Sequence, residues 1–149
     1  QNVYKRQVPT SFETHKEWKG KKIVVVSIPG AYTPICHQQH IPPLVKRADE
    51  VKAKGVDAIY VIASNDPYVM SAWGIFNNAK DKVVFASDLN IAFSKALGAT
   101  IDLSFKDMGE RTARYALIID DLKVVDFGSD EGDTGKLQNA SVETILQKL

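Results

Sequence analysis

The chain holds one cysteine in 149 residues. That count excludes an intrachain disulfide, and with it both a disulfide-stapled scaffold and a Cys-x-x-Cys shuttle. Net charge is almost absent too, +1 from 19 basic and 18 acidic residues. There is thus no electrostatic case for nucleic acid or an anionic membrane surface as a partner. No apolar run approaches the roughly 20 residues of a membrane span, and no secretory signal pattern is present. Internal repeats and low-complexity stretches are missing as well. What remains is an ordinary globular composition, 44% hydrophobic and 25% charged, at a length that suits one core. A single domain over residues 1–149 is expected. Because the chain opens at Gln1 rather than Met, a truncated N-terminus is expected with it. The lone thiol suits a reducing compartment and a cytoplasmic location. The C-terminal Gln147-Lys148-Leu149 is similar to the peroxisomal tripeptide, with Gln in place of its small first residue, which keeps the peroxisome and the mitochondrion open.

The cysteine stands at the sharpest change of backbone pattern. Lys22 to Ile28 is a β-branched apolar run that reads as a buried strand. Pro29-Gly30 breaks it. Thr33 then offers an N-cap, Pro34 suits the first helical position, and Cys36 falls at the third. The first turn of a helix leaves N–H groups unpaired and carries the positive end of the dipole, which favours thiolate over thiol. A lone cysteine is ordinarily a small buried hydrophobe. Strand, Pro-Gly, Thr-Pro-x-Cys and helix together point instead to an activated sulfur.

The rest of the chain gives an alternating pattern. Residues 1–12 lack periodicity and read as extended surface chain, and Ser11 to Trp18 as a short helix stopped by Gly20. Pro42-Pro43 predict a kink after the Cys36 turn, followed by a helix from Pro43 to Lys54 with Gly55 as its C-cap. Val56–Ala63 is a second strand, and Asn65-Asp66-Pro67 starts a helix over 68–78 whose stripe is Val69, Ala72, Trp73 and Phe76. Trp73 at that spacing is a core or subunit-contact residue. Residues 83–86 form a third strand, Asp88 opens a short helix reaching Gly98, and 99–111 read as an irregular connection. Arg114–Asp120 and Lys123–Phe127 form a hairpin across Asp121-Leu122. After a charged loop over 128–136, Ser141 caps a last helix. A βαβ unit followed by a hairpin and a closing helix predicts an α/β, thioredoxin-like fold, a mixed central sheet with helices on both faces.

Three chemistries compete for Cys36. Cys36, His37 and His40 lack a fourth partner for a structural zinc. A Cys–His hydrolase needs a base oriented by a third group, and none is identifiable for His40, which reads as an auxiliary hydrogen-bonding residue. The remaining set is a low-pKa thiolate with hydroxyl and amide donors from Thr33, Ile35 and Cys36. That set suits attack on a peroxide O–O bond, provided a cation stabilises charge on the leaving oxygen. Arg114, Arg111 and Arg47 all qualify, with Arg114 favoured by its place at the head of a buried strand.

Pro29-x-x-x-Thr33-x-x-Cys36 resembles the active-site motif of the peroxiredoxins. The wider Pro29-to-Pro42 stretch, Asn65–Gly74 and Arg114–Leu117 are similar to the type II, fungal-like branch of that family, from about Lys21 to the C-terminus. The resemblance implies a thiol-dependent peroxidase and an antioxidant role in cell redox homeostasis. It implies Cys36 as the peroxidatic cysteine, passing through a sulfenic acid on hydrogen peroxide or an alkyl hydroperoxide. It also implies Pro29 as a shield for the sulfur, Thr33 as a hydrogen-bonding partner of sulfur and peroxide, and Arg114 as the stabilising cation. A homodimer and no metal or other cofactor are implied as well. The chain departs from many type II members in having no resolving cysteine near Gly135–Gln138, so reduction by an external thiol (glutathione with glutaredoxin, or thioredoxin) is expected. Ile35 and His37 stand where small or hydroxylated residues are commoner. The alternative is a non-catalytic chaperone or interaction protein of the same fold.

Overall fold

The computed structural model describes residues 10–130 and 137–149. The expectations for residues 1–9 and for the loop over 131–136 lie outside the described residues. A central sheet of five strands runs in the order β3-β2-β1-β6-β7. These are β1 (Lys22–Ser27), β2 (Ala58–Ala63), β3 (Val84–Ser87), β6 (Tyr115–Asp120) and β7 (Lys123–Ser129). β1 pairs parallel with β2, and β2 with β3, whereas β6 is antiparallel to both β1 and β7. The mixed α/β sheet of the sequence reading is therefore present.

β1 is central, which explains its unbroken apolar run: both faces are covered. Val24 and Val26 face one core with Cys36, Leu44, Val61, Trp73 and Ile145. Ile23 and Val25 face the other with Trp18, Tyr60, Tyr115 and Leu117. The period of two along a strand divides the residues between the faces in this way. The turn between β6 and β7 is Asp121-Leu122, both with positive φ (45° and 68°), the mirror-image geometry that matches hairpin twist.

The helices are α1 (Thr14–Glu17), α2 (Ile41–Lys46), α3 (Ala48–Lys52), α4 (Pro67–Phe76), α5 (Ala92–Ala96) and α6 (Val142–Lys148). The predicted caps of α4 and α6 are formed. Asp66 accepts from the N–H groups of Tyr68 and Val69 at 2.8 and 3.0 Å, and Ser141 Oγ from that of Thr144 at 3.3 Å.

Three expectations are corrected. The kink assigned to Pro42-Pro43 lies elsewhere: the prolines occupy the first turn of α2, where no intrahelical donor is needed. The irregularity is taken up ahead of them by a π-helical turn, Cys36–His40, closed by the Ile41 N–H on Cys36 O, and after them by a break at Arg47 between α2 and α3. Residues 99–111 are not wholly irregular, since β4 (Thr100–Asp102) and β5 (Glu110–Thr112) pair antiparallel. The helix placed after Asp88 is broken by positive φ at Asn90 and Ile91. Asp88 instead holds the start of α5, accepting from the N–H groups of Phe93 and Ser94, both at 2.9 Å.

Candidate active site

The end of β1 is pinned from three sides before the chain turns. Thr112 Oγ1 donates to Ile28 O at 2.7 Å, Arg111 Nη1 donates to Pro29 O at 3.3 Å, and the Ala31 N–H donates to Asn65 Oδ1 at 2.8 Å. A side chain at Gly30 would be crowded, because a Cβ there would stand 3.0 Å from Thr33 Cγ2, which would have to give way. Asn65, part of one of the motif-bearing segments, therefore shapes this turn through its side chain.

Thr33 differs from the simple cap expected of it. Its carbonyl accepts from the His37 N–H at 2.8 Å, as an N-cap carbonyl does, but its hydroxyl donates back to Gly30 O at 2.6 Å. The single hydroxyl proton is thereby used, which leaves the oxygen its acceptor lone pairs only. The first N–H of the turn to find an intrahelical carbonyl is that of His37. Those of Ile35 and Cys36 precede it, at the positive end of the turn.

Cys36 has no exposed surface, and neither Arg114 (3%) nor His40 (1%) is open to solvent. Its chain neighbours Thr33, Ile35 and His37 are half-buried. Arg114 Nη2 donates to Cys36 Sγ at 3.2 Å, and Arg114 Nη1 donates to His40 Nδ1 at 2.8 Å. The other ring nitrogen of His40, Nε2, donates to Ala140 O at 2.7 Å. A carbonyl only accepts, which assigns the ring proton to Nε2 and leaves Nδ1 as the acceptor. Burial, and secondly the Arg114 charge, push the His40 pKa down to about 4. With both nitrogens engaged, His40 has none to take a thiol proton, so a Cys36–His40 hydrolase pair is not assembled.

The arginines separate clearly. Arg47 lies at the surface, paired with Glu50 at 2.7 Å and Glu143 at 3.6 Å. Arg111 braces the Pro29 turn, its Nε donating to Met108 O at 2.8 Å. Arg114 alone among the three has a bond to the sulfur. A guanidinium donating to sulfur stabilises negative charge there, and its rigid fork can hold a second acceptor at the same time. Pro29 is buried beside this group, and a cavity of about 450 Å³ borders both Pro29 and Arg114 without reaching Cys36 or Thr33.

One neighbour was not assigned by the sequence reading. Trp73 Nε1 donates to His37 Nδ1 at 2.9 Å, and Tyr32 and Phe76 lie against the same imidazole, with ring centroids 5.2 and 5.0 Å away. Trp73 is the core residue it was taken for, fully buried and edge-on to Phe85. Its bond across 36 positions had no local signal.

The chain matches the Redoxin family over residues 3–146. A Malassezia furfur protein named as a peroxiredoxin is 81% identical over 142 residues, which cover 95% of this chain and 80% of that one. The chain is a peroxiredoxin. Among solved structures, reduced Prx3 of Vibrio vulnificus in complex with H2O2 superposes with a TM-score of 0.88 at 36% identity, over 96% of this chain and 91% of that one. The Plasmodium falciparum antioxidant protein, a 1-Cys peroxiredoxin, superposes at 0.87 with 30% identity, over 93% and 81%. This peroxiredoxin thus has the thioredoxin-like fold read from its sequence and is an enzyme, a thiol-dependent peroxidase. Among the described residues, no helix is long and apolar enough to cross a membrane.

Proposed function

We propose that this peroxidase reduces hydrogen peroxide and alkyl hydroperoxides through a sulfenic acid on Cys36, and that an external thiol returns the sulfur to its reduced state. The observation that carries the reading is the 3.2 Å bond from Arg114 Nη2 to Cys36 Sγ. The thiolate attacks one peroxide oxygen as the O–O bond breaks. The electron pair leaves with the other oxygen, which takes up a proton as water or an alcohol. Arg114 stabilises charge on the sulfur and on the departing oxygen. Thr33, whose own proton is given to Gly30 O, accepts from the peroxide hydroxyl, and the amides of Ile35 and Cys36 donate to it. Pro29 closes one side of the site.

Two thiols then complete the cycle. The first displaces hydroxide from the Cys36 sulfenic acid to form a mixed disulfide and water, and the second releases Cys36 as thiol with a small disulfide as product. The single cysteine of the chain supports a one-cysteine cycle of this kind, and the Plasmodium neighbour bears the same designation. Glutathione with glutaredoxin, or thioredoxin, fits the role, in a reducing compartment such as the cytoplasm. The reduced Vibrio neighbour holds H2O2, which supports the small peroxide as substrate. Because Cys36 is covered in this conformation, admitting the peroxide requires a local opening of the site. A homodimer belongs to the reading as well: Tyr32, Ile75, Phe76 and Leu89 are large apolar side chains left 46, 48, 63 and 59% exposed.

Peroxide consumption with glutathione or dithiothreitol as reductant, parent against Cys36→Ser, tests the assignment. Intact mass after one equivalent of peroxide should show one added oxygen, replaced by a glutathione adduct when that thiol is present. A Cys36→Ser protein that consumes peroxide at the parent rate ends the proposal.

A further inference from the structure

We propose that His40 is a positioning residue, a buried neutral acceptor that keeps the Arg114 guanidinium on the Cys36 sulfur. Cys36 and His40 stand at the two ends of one π-helical turn, and both are buried. Arg114 bridges them, with one terminal nitrogen 3.2 Å from Sγ and the other 2.8 Å from Nδ1. A guanidinium is planar and rigid, so an acceptor fixed at one corner fixes where the other corner points.

The acceptor is itself fixed. An Nδ1 lone pair exists only if the proton sits on Nε2, and the Ala140 carbonyl 2.7 Å away sets that tautomer. Ala140 is held in turn by Asp130, whose carboxylate accepts from the N–H groups of Gln138, Asn139 and Ala140 at 3.0, 2.7 and 3.0 Å. A continuous run of hydrogen bonds thus connects the approach to α6 with the sulfur, through Ala140, His40 and Arg114. Among the described residues, the charged groups acting on the imidazole are Arg114 and Asp130.

The inference rests on the peroxidase reading for one of its readouts only. In the full chain, His40→Gln keeps an amide donor near the Nε2 position but supplies no acceptor at that of Nδ1, whereas His40→Asn places a carbonyl oxygen near Nδ1. Each is made alone and with Arg114→Ala, and the rates of Cys36 with iodoacetamide and with hydrogen peroxide are measured beside the melting temperature. His40→Gln should slow both reactions, the peroxide reaction about tenfold to a hundredfold, and His40→Asn should restore most of the loss. With Arg114→Ala in place, His40→Gln should cost nothing more, because the two residues act as a unit.

A His40→Gln protein as fast as the parent overturns the proposal. So does an equal loss in both backgrounds, or an equal loss in Gln and Asn variants, whatever the melting temperatures. If parent Cys36 fails to react with peroxide, the peroxidase reading falls, and the iodoacetamide rates still decide the role of His40.

Discussion

Arg114 reaches Cys36 across 78 positions of sequence and donates to its sulfur at 3.2 Å, in a site where neither residue is open to water. In so dry a setting a charge-assisted hydrogen bond is strong, and each partner depends on the other for compensation.

Arg114→Lys should therefore be a severe change. An ammonium is a point donor and cannot span the sulfur and His40 Nδ1 with the fixed fork of a guanidinium. The second-order rate of Cys36 with hydrogen peroxide is expected to fall about a hundredfold, read by single-turnover oxidation. A rate equal to the parent's would remove Arg114 from the reaction.

His40 should make stability depend on acidity. Its pKa is depressed from 6.5 to about 4 in the folded chain, so between those values the unfolded chain binds more protons. Stability is unaffected by this group above about pH 6.5, is lost as pH falls from there to about 4, and does not change further below. The full loss is about 3 kcal/mol by linkage. Denaturant titrations of the parent and of His40→Asn across this range isolate it from the carboxylates. A parent whose midpoint falls no more steeply than the variant's contradicts the expectation.

Gly30→Ala should harm the site more than the fold. The new Cβ would stand 3.0 Å from Thr33 Cγ2 and 3.4 Å from Arg111 Nη1. Relief requires Thr33 to shift, and with it the hydroxyl that donates to Gly30 O. A stability cost of about 1–2 kcal/mol is expected from crowding, with a larger proportional fall in peroxide rate. Unchanged kinetics would show that Thr33 is free to move without consequence.

Asp66→Ala supplies the converse. Its carboxylate caps α4 through Tyr68 and Val69 and touches nothing at the sulfur. Losing the cap should cost about 1 kcal/mol, a fall of about 2–4 °C in melting temperature, with the peroxide rate of the folded protein intact.

Much of the fold was legible because its signals are local. Both faces of β1 are buried, so its apolar run needed no partner to be recognised. Asp66-Pro67 and Ser141 mark helix starts by side chains that satisfy orphan N–H groups close by in sequence. The errors fell where the backbone breaks a regular pattern without announcing it. The π-helical turn over Cys36–His40 shifts the disturbance ahead of Pro42, and the positive φ of Asn90 and Ile91 interrupts a helix that composition alone would continue. The β4–β5 ladder is short, and the Asp107-Met108-Gly109 of the connection between its strands hid it.

The site divides along the same line. Residues 29–36 announced a strand break and a sulfur at the start of a helix, since proline, glycine and a threonine-proline pair act on their own neighbours. Among Arg47, Arg111 and Arg114, the place at the head of a buried strand and the family resemblance favoured Arg114, but neither gave its contact with the sulfur. Folding supplies that contact, by pairing β6 with β1 so that Arg114, one residue ahead of β6, meets the end of β1. The same holds for the bond from Trp73 to His37 and for the tautomer of His40, set by a carbonyl 100 residues away. Backbone preference is written in adjacent residues. Which buried polar groups face one another is settled only by how the strands and helices pack.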